Sequence, residues 1–120
     1  MATIELTLEN FEQRVQDNEI LFVDFWASWC GPCRQFAPTY EAASEEHTDI
    51  GFGSVDTESQ QDLAGAFQIS SIPTLMAFRD GILVFSQPGA LPPPALQQVI
   101  GAVRDLDMDE VRAKIAAQES

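Results

Sequence analysis

A near-continuous apolar run over residues 20–27 is the feature that most constrains how this chain folds. Apolar and aromatic side chains at consecutive positions are typical of a central strand that is buried on both faces. The run leads into Trp29-Cys30-Gly31-Pro32-Cys33, where a helical pattern begins. The sequence therefore predicts a buried strand that delivers two cysteines to the start of a helix.

A dithiol in this position has a defined chemistry. The two thiols can close and reopen as a disulfide, and the positive end of the helix dipole favours the thiolate. Because the thiolate is the form that attacks other disulfides, the arrangement predicts a thiol–disulfide oxidoreductase. A structural disulfide is one alternative. Half of a zinc site is the other, but with 2 Cys and 1 His it would need a second chain, so we expect no metal.

Length and charge limit the classes of partner. The chain has 120 residues and a net charge of −13, from 6 basic and 19 acidic residues. This length fits one domain with its own hydrophobic core. The acidic balance argues against nucleic acid and anionic membranes, and it favours basic partners or simply reflects a solvated surface. The pattern of a signal peptide or a membrane span is lacking, so we expect a cytoplasmic protein.

Hydrophobic spacing predicts an α/β fold. Three strands, each followed by a helix, come first. Two further strands are then joined by Asp80-Gly81 in a hairpin, and a helix follows the hairpin. This order predicts a central mixed sheet of about five strands flanked by helices. The expected strands are 3–6, 20–27, 51–56, 74–79 and 82–86. The expected helices are 8–16, 33–47, 60–67, 92–106 and an extra C-terminal helix over 107–117. Thr7 is expected to cap the first of these helices, and Leu8 to lie on its apolar face.

Four features resemble the thioredoxin family, in the same order and spacing. Residues 23–33, Val-Asp-Phe-Trp-Ala-Ser-Trp-Cys-Gly-Pro-Cys, resemble the family's active-site segment. Pro38 lies where thioredoxins kink their second helix. Ile72-Pro73-Thr74 resembles the cis-proline loop, and Gly89-Ala90-Leu91 resembles the glycine–alanine loop. The resemblance covers about residues 3–105 and implies a thioredoxin fold.

The chain continues past the usual end of the family. We therefore expect a thioredoxin domain over residues 1–105 and a C-terminal helical extension over 106–120 that packs on the same domain. Met108, Val111 and Ile115 form the apolar stripe of this extension. A contact with a partner or a second copy is the alternative use of that stripe.

The resemblance implies roles for the active-site segment. Cys30 precedes the helix and is expected to be the more exposed thiol, so it is the nucleophile, and Cys33 resolves the mixed disulfide. Asp24, the one charged residue in the apolar run, is expected to have a raised pKa and to act as general base for Cys33. Gly31 and Pro32 set the turn between the cysteines and accompany reducing activity in this family.

The same resemblance predicts a docking rim around Cys30. Pro73 is expected in a cis peptide bond that faces the dithiol, where backbone groups can pair with a substrate strand. Trp29 is expected at the surface and Trp26 in the core. Trp29, Gly31, Pro32 and Pro73 are expected to support the site, and the expected substrate-binding residues are Trp29, Ser71, Ile72, Pro73, Gly89 and Ala90.

The implied function is a protein disulfide reductase that works in electron transport and cell redox homeostasis. It needs no cofactor beyond its own dithiol, because NADPH and FAD would belong to a thioredoxin reductase partner. We expect a monomer that acts on disulfide-containing proteins and binds neither nucleic acid nor membrane. A disulfide oxidase or isomerase of the same fold, and a redox-switched binding module, are the alternatives.

One position departs from many members of the family. Where they carry a buried lysine beside the catalytic aspartate, this chain has Ser54. Without that ammonium group, we expect the pKa of Asp24 to be raised at least as much as in lysine-containing relatives. His47 is expected to be an ordinary surface residue.

Overall fold

The computed structural model of the protein describes residues 2–119. Within these residues, five strands and five helices follow one another in the predicted order. The elements are β1 Thr3–Glu5, α1 Phe11–Asp17, β2 Ile20–Trp26, α2 Gly31–Glu46, β3 Gly51–Asp56, α3 Gln61–Ala66, β4 Thr74–Arg79, β5 Ile82–Pro88, α4 Pro93–Arg104 and α5 Met108–Glu119.

The strands form one mixed sheet in the order β1-β3-β2-β4-β5. The β1–β3 and β3–β2 pairs are parallel, whereas β4 is antiparallel to both of its neighbours. The α/β class and the mixed sheet are therefore confirmed. The register places Ser54 of β3 opposite Asp24 of β2, which confirms the position predicted for Ser54.

Helices cover both faces of the sheet, and β2 supplies side chains to each core. Ile20 and Phe22 face a core built with α2 and α4. Leu21, Val23 and Phe25 face a second core built with α1 and α3. Because side chains alternate along a strand, Asp24 lies on the same face as Phe22 and points towards α2.

The first helix begins later than predicted. The side chains of Thr7 and Asn10 accept hydrogen bonds from each other's backbone N–H groups, at 3.2 and 2.8 Å, and hold a turn over residues 8–10. The helix therefore starts at Phe11 rather than at residue 8. Leu8, predicted on the apolar face, is 56% exposed, so that part of the prediction is wrong.

The C-terminal helix contacts the hairpin of β4 and β5. Met108 is buried, and Arg112 forms an ion pair with Asp80 of the hairpin turn at 2.8 Å. The carboxylate of Asp107 accepts a hydrogen bond from the N–H of Glu110 at 3.2 Å, a bond typical of the residue that caps the start of a helix. The helix continues to Glu119, two residues beyond the predicted end.

His47 is not the plain surface residue that the sequence analysis predicted. Its side chain is 17% exposed and lies where α2 ends. Nε2 is 2.9 Å from the side-chain oxygen of Gln97, and Arg104 donates to Nδ1 at 3.1 Å. His47 therefore links the end of α2 to α4, and Arg104 continues the network to Asp49.

Candidate active site

The dithiol lies where β2 gives way to α2. Cys30 and Cys33 form a disulfide with their Cα atoms 5.2 Å apart. Cys30 is the N-cap residue of α2, and its Sγ accepts a hydrogen bond from the N–H of Cys33 at 3.2 Å. Gly31 and Pro32 occupy the first helical positions, where the missing N–H of proline costs no intrahelical bond.

The two sulfur atoms differ in surroundings but not in burial. Both cysteines are 4% exposed in the disulfide form, so the predicted difference in exposure is not found. The Sγ atom of Cys30 lies 3.7 Å from the carbonyl oxygen of Ile72. Cys33 instead lines a cavity that also contains Asp24. Cys30 therefore faces the proline loop and Cys33 faces the aspartate.

Asp24 is a buried carboxyl group whose lost hydration no hydrogen bond to Oδ1 replaces. Its side chain is 5% exposed, and Oδ1 has no hydrogen-bond partner among residues 2–119. Burial raises the pKa of Asp24 from 3.8 to about 7, because the charged form loses its hydration. The raised pKa agrees with the expectation from sequence. A group with this pKa can both accept and release a proton near neutral pH.

The loop before β4 comes next to the dithiol. The Ile72–Pro73 peptide bond is cis, as the resemblance predicted. The carbonyl of Pro73 accepts a hydrogen bond from the N–H of Gly89 at 2.8 Å, which joins the two predicted docking loops. Pro73 itself is fully buried, so it supports the rim and does not form its surface. Ser71, Gly89 and Ala90 are exposed, and Ile72 is half-buried.

The two tryptophans differ in exposure. Trp29 is 66% exposed beside Cys30, as predicted. Trp26, predicted in the core, is only half-buried and packs against the small cluster of Ala27, Cys30 and Cys33. Its position at the last residue of β2 explains the difference, because the sheet covers it less completely there.

Sequence reasoning missed two residues near Asp24. The hydroxyl group of Tyr40 donates to the carbonyl oxygen of Gly53 at 2.7 Å in the core between α2 and β3. Glu41 lines the cavity that holds Asp24. The glycine at position 53 makes room for the side chain of Leu6, so it gave no signal of the contact with Tyr40. No pattern in the sequence indicated Glu41.

Residues 2–119 hold no group of three or more side chains that could bind a metal ion. None of the helices described in this range is long and apolar enough to span a membrane. The reactive groups that the structure brings together at this site are the dithiol of Cys30 and Cys33 and the carboxyl group of Asp24.

A five-stranded α/β fold with a Cys-Gly-Pro-Cys disulfide at a helix start defines a thiol–disulfide oxidoreductase. The thioredoxin family model matches residues 2–102. A protein assigned as thioredoxin 2 of Streptomyces coelicolor is 60% identical over 119 residues, 99% of this chain and 89% of that relative. The thioredoxin of Bacillus subtilis is 36% identical over 83% of this chain and 96% of its own length.

Solved structures agree with these relatives. A thioredoxin from Halobacterium salinarum superposes with a TM-score of 0.80 at 30% identity, covering 87% of this chain and 92% of that one. A thioredoxin from Plasmodium falciparum gives 0.77 at 34% identity, covering 82% and 97%. The chain belongs to the thioredoxin family, and its Cys30–Cys33 disulfide fits the protein disulfide reductase activity of that family.

Proposed function

We propose that this chain reduces disulfides in other proteins, with Cys30 as nucleophile, Cys33 as resolving thiol and Asp24 as proton acceptor. One observation carries the proposal. The disulfide is asymmetric, since Cys30 lies against the backbone of Ile72 while Cys33 shares a cavity with a carboxyl group whose pKa is about 7. That arrangement supports attack at one sulfur and proton transfer at the other.

The reaction has two exchange steps. The Cys30 thiolate attacks a substrate disulfide, a Cys30–substrate bond forms, and one substrate sulfur leaves as thiolate. Asp24 then takes the proton of Cys33, and the Cys33 thiolate attacks the Sγ of Cys30. The Cys30–Cys33 bond forms, the second substrate sulfur leaves, and two electrons have passed to the substrate. The N-cap position of Cys30 supports its thiolate form.

The rim around Cys30 supports docking through backbone groups. The carbonyl group of Ile72 lies beside the nucleophile, and Gly89 is tied to Pro73. An extended substrate segment could pair with these groups, a mode that selects little by side chain. Exposed Trp29 adds apolar area, while Gly31 and Pro32 hold the turn. We further propose Ser71 and Ala90 as rim contacts.

The oxidised protein must be reduced again, and we propose a thioredoxin reductase carrying FAD and NADPH as the source of electrons. We also propose that the chain acts as a monomer in the cytoplasm without a cofactor of its own. Residues 1–105 would form the catalytic domain, and 106–120 would form part of the same folded unit. The contacts of Met108 and Arg112 with the body of the chain support that division.

Cys33→Ser tests the assignment of roles. The variant should accumulate covalent complexes with disulfide proteins through Cys30, because the resolving thiol is missing. Cys30→Ser is the matched control and should form none. Complexes with the control but not with Cys33→Ser would reverse the two roles, and none with either would favour a redox-switched binding module.

An equilibrium titration against a thiol buffer, followed by tryptophan fluorescence, separates reductase from oxidase. We expect a potential near about −270 mV, the value typical of thioredoxins, rather than near about −120 mV at the oxidising end of the fold. A value at the oxidising end would move the protein to disulfide formation or isomerisation.

A further inference from the structure

An uncharged part of the surface adjoins the docking rim. Residues 81–103 carry no acidic, basic or histidine side chain, although 21% of the chain is charged. They form β5, the loop with Gly89 and Ala90, and nearly all of α4. β5 is the last strand of the sheet, and among residues 2–119 it pairs with β4 alone. Its outer edge therefore keeps backbone groups that can pair with another chain.

This edge has little protection against such pairing. Proteins usually guard an edge strand with charged side chains, prolines or bulges. β5 has one bulge residue, Val84, and one proline, Pro88 at its end, but none of its side chains is charged. Beyond the bulge, residues 85–88 pair with β4 in regular register. The outer edge of this regular stretch is therefore suited to accept a further strand.

A groove of about 350 Å³ runs between this edge and α4. Val84 and Phe85 of β5 line one side, and Val99 and Ala102 of α4 line the other. Every side chain within residues 2–119 that lines it is uncharged. Because side chains of a strand alternate between the two faces of a sheet, every second side chain of an added strand would enter the groove. The groove thus favours small apolar side chains at alternate positions.

One end of the groove lies at the docking rim. Gln87 and Leu91 line the groove, and the rim residues Gly89 and Ala90 lie between them in the chain. The N–H of Gly89 donates to the carbonyl oxygen of Pro73 in the loop beside the dithiol. A substrate chain that leaves the dithiol across this part of the rim therefore meets the groove.

The other end of the groove is acidic. Leu106 lines it, and Arg79, at the end of β4 remote from the dithiol, donates to the carbonyl oxygen of Leu106. Exposed Asp105 and Asp107 flank Leu106 in the chain, and they would attract a lysine or arginine. A second copy of this chain, with its net charge of −13, would be repelled instead. The charges therefore favour a substrate segment as the occupant.

We propose that the groove binds, as a strand added to β5, the segment of a substrate protein that follows its reacting cysteine. The preferred segment has small apolar residues at alternate positions and ends in lysine or arginine. This rests on the proposed function, because the cysteine must be held at Cys30. β5 runs towards the rim, so a strand antiparallel to it, the slightly more stable pairing, runs from the rim towards Leu106. The groove would thus read side chains that backbone pairing at the rim does not read.

Two peptides of equal composition test the proposal. Each carries one cysteine in a mixed disulfide with 2-mercaptoethanol. In the first, a short glycine–serine spacer and an alternating valine–threonine tail that ends in lysine follow the cysteine; in the second, they precede it. Tryptophan fluorescence gives the second-order rate constant for oxidation of the reduced protein. We expect wild type to react about ten-fold faster with the first, since burial of a single valine side chain is worth a factor of this order.

Ala102→Gln places an amide in the groove without changing the net charge. Ala102 is exposed on α4, so the fold accepts the larger side chain. We expect the ratio of the two rate constants to fall below about two-fold. Ala113→Gln makes the same change at an exposed position of α5 that does not line the groove, and it should keep the wild-type ratio. Both peptides react at the same dithiol, so the ratio cancels any change in the reactivity of Cys30.

N-methylated tails test the added strand itself. In an antiparallel edge strand every second N–H points to the partner, so methylation of one alternate set of tail amides should remove the preference and methylation of the other set should keep it. The same effect of both sets would overturn strand pairing.

Equal rate constants for the two peptides, or a preference that Ala102→Gln retains, would also overturn the proposal. A groove covered by a second copy would give equal rate constants together with sedimentation of wild type as a dimer. If the reduced protein reacts with neither peptide nor with hydroxyethyl disulfide, the proposed function fails before the groove is in question.

Discussion

At the scale of single residues, Asp24 connects the stability of the fold to its chemistry. A carboxyl group that is 5% exposed and lacks a partner for Oδ1 keeps its proton to about pH 7. The energy that raises this pKa is a cost to the folded state whenever the group is ionised. The property that suits Asp24 to proton transfer therefore destabilises the protein at physiological pH.

Asp24→Asn should remove one pH dependence of folding. Below about pH 4 both states hold the proton; between about pH 4 and 7 the unfolded chain releases it first, so stability falls as pH rises. The rise of the Asp24 pKa from 3.8 to about 7 corresponds to about 4 kcal/mol, which wild type has lost by pH 8 and the variant keeps. Urea unfolding of wild type and of the variant at about pH 4 and at about pH 8 measures this difference. Asp62→Asn, at an exposed position, is the control. Parallel curves for wild type and Asp24→Asn would contradict it.

Tyr40→Phe should destabilise the protein by about 1–3 kcal/mol, because the buried carbonyl oxygen of Gly53 loses a donor at 2.7 Å. The ring packs between Phe36 and Phe52, so the apolar contacts remain in the variant. Denaturant unfolding measures the loss, and Gln35→Ala on the exposed side of α2 should change stability far less. An unchanged midpoint for Tyr40→Phe would show that the hydroxyl group is not needed.

At the scale of elements, the sequence predicted the order, and it placed every boundary except the start of α1 within two residues of its observed position. The near-continuous apolar run of β2 placed Asp24 inside a buried strand, and the helical pattern after Cys30 placed the dithiol at a helix start. The start of α1 was wrong, because reciprocal hydrogen bonds between Thr7 and Asn10 stabilise a separate turn that leaves Leu8 exposed. Local propensity does not distinguish that turn from a first helical turn.

The cavity beside Asp24 was beyond prediction from sequence alone. It exists because small side chains, among them Ala37 of α2 and Ser54 of β3, meet between the helix and the sheet. Glu41 reaches it only because β1 brings Thr3 alongside α2. Such space depends on packing, whereas patterns in the sequence report which residues are buried. The residues of the dithiol and Asp24 were predictable, but the cavity beside them was not.

Arg79 should stabilise the junction of α4 and α5. Its Nη1 donates to the carbonyl oxygens of Val103, Arg104 and Leu106 at 2.8–2.9 Å, which lie at the last residues of α4 and just beyond its end. Arg79→Met keeps much of the apolar stem but removes these bonds, and we expect a loss of about 2 kcal/mol in thermal or urea unfolding. Arg14→Met, at an exposed position of α1, is the control. Equal effects of the two variants would rule out the capping role.

Deletion of residues 107–120 should lower stability and leave the reactivity of the dithiol intact. Met108 is 7% exposed, and Val111 and Ile115 line a cleft with Ile82 and Val84 of β5. Their apolar contact should contribute about 2 kcal/mol or more. Chemical unfolding and the rate of insulin reduction measure the two effects. Unchanged stability together with loss of one binding partner would instead make α5 a partner contact.

At the scale of the whole molecule, the charge should select among substrates. The net charge is −13, and three of the six basic residues, Arg104, Arg112 and Lys114, are paired with carboxylates of the same chain. The surrounding negative potential should speed the approach of basic substrates. The net charge thus gives the protein a preference for basic substrates, whereas backbone pairing at the rim would not distinguish substrates by their charge.

Two peptide disulfides that differ only in lysine or glutamate flanks test this preference. At about 0.02 M salt we expect kcat/KM to favour the lysine peptide by at least about five-fold, falling towards parity at about 0.5 M as screening increases. A ratio that does not change with salt would assign the preference to a local contact instead.

Lys114 is the single lysine of the chain, and it lies on α5 with 72% of its side chain exposed. The antiparallel register puts Thr74 and Pro88 at the dithiol end of the sheet and Arg79 and Ile82 at the other end, next to the cleft that Lys114 lines. Amine-directed coupling of a dye, a bead or an electrode would therefore meet one side-chain amine, remote from the dithiol. The fold thus places this side-chain amine at the end of the sheet opposite the dithiol, so a surface coupled through Lys114 leaves exposed Trp29 and the loops around the dithiol open to solution.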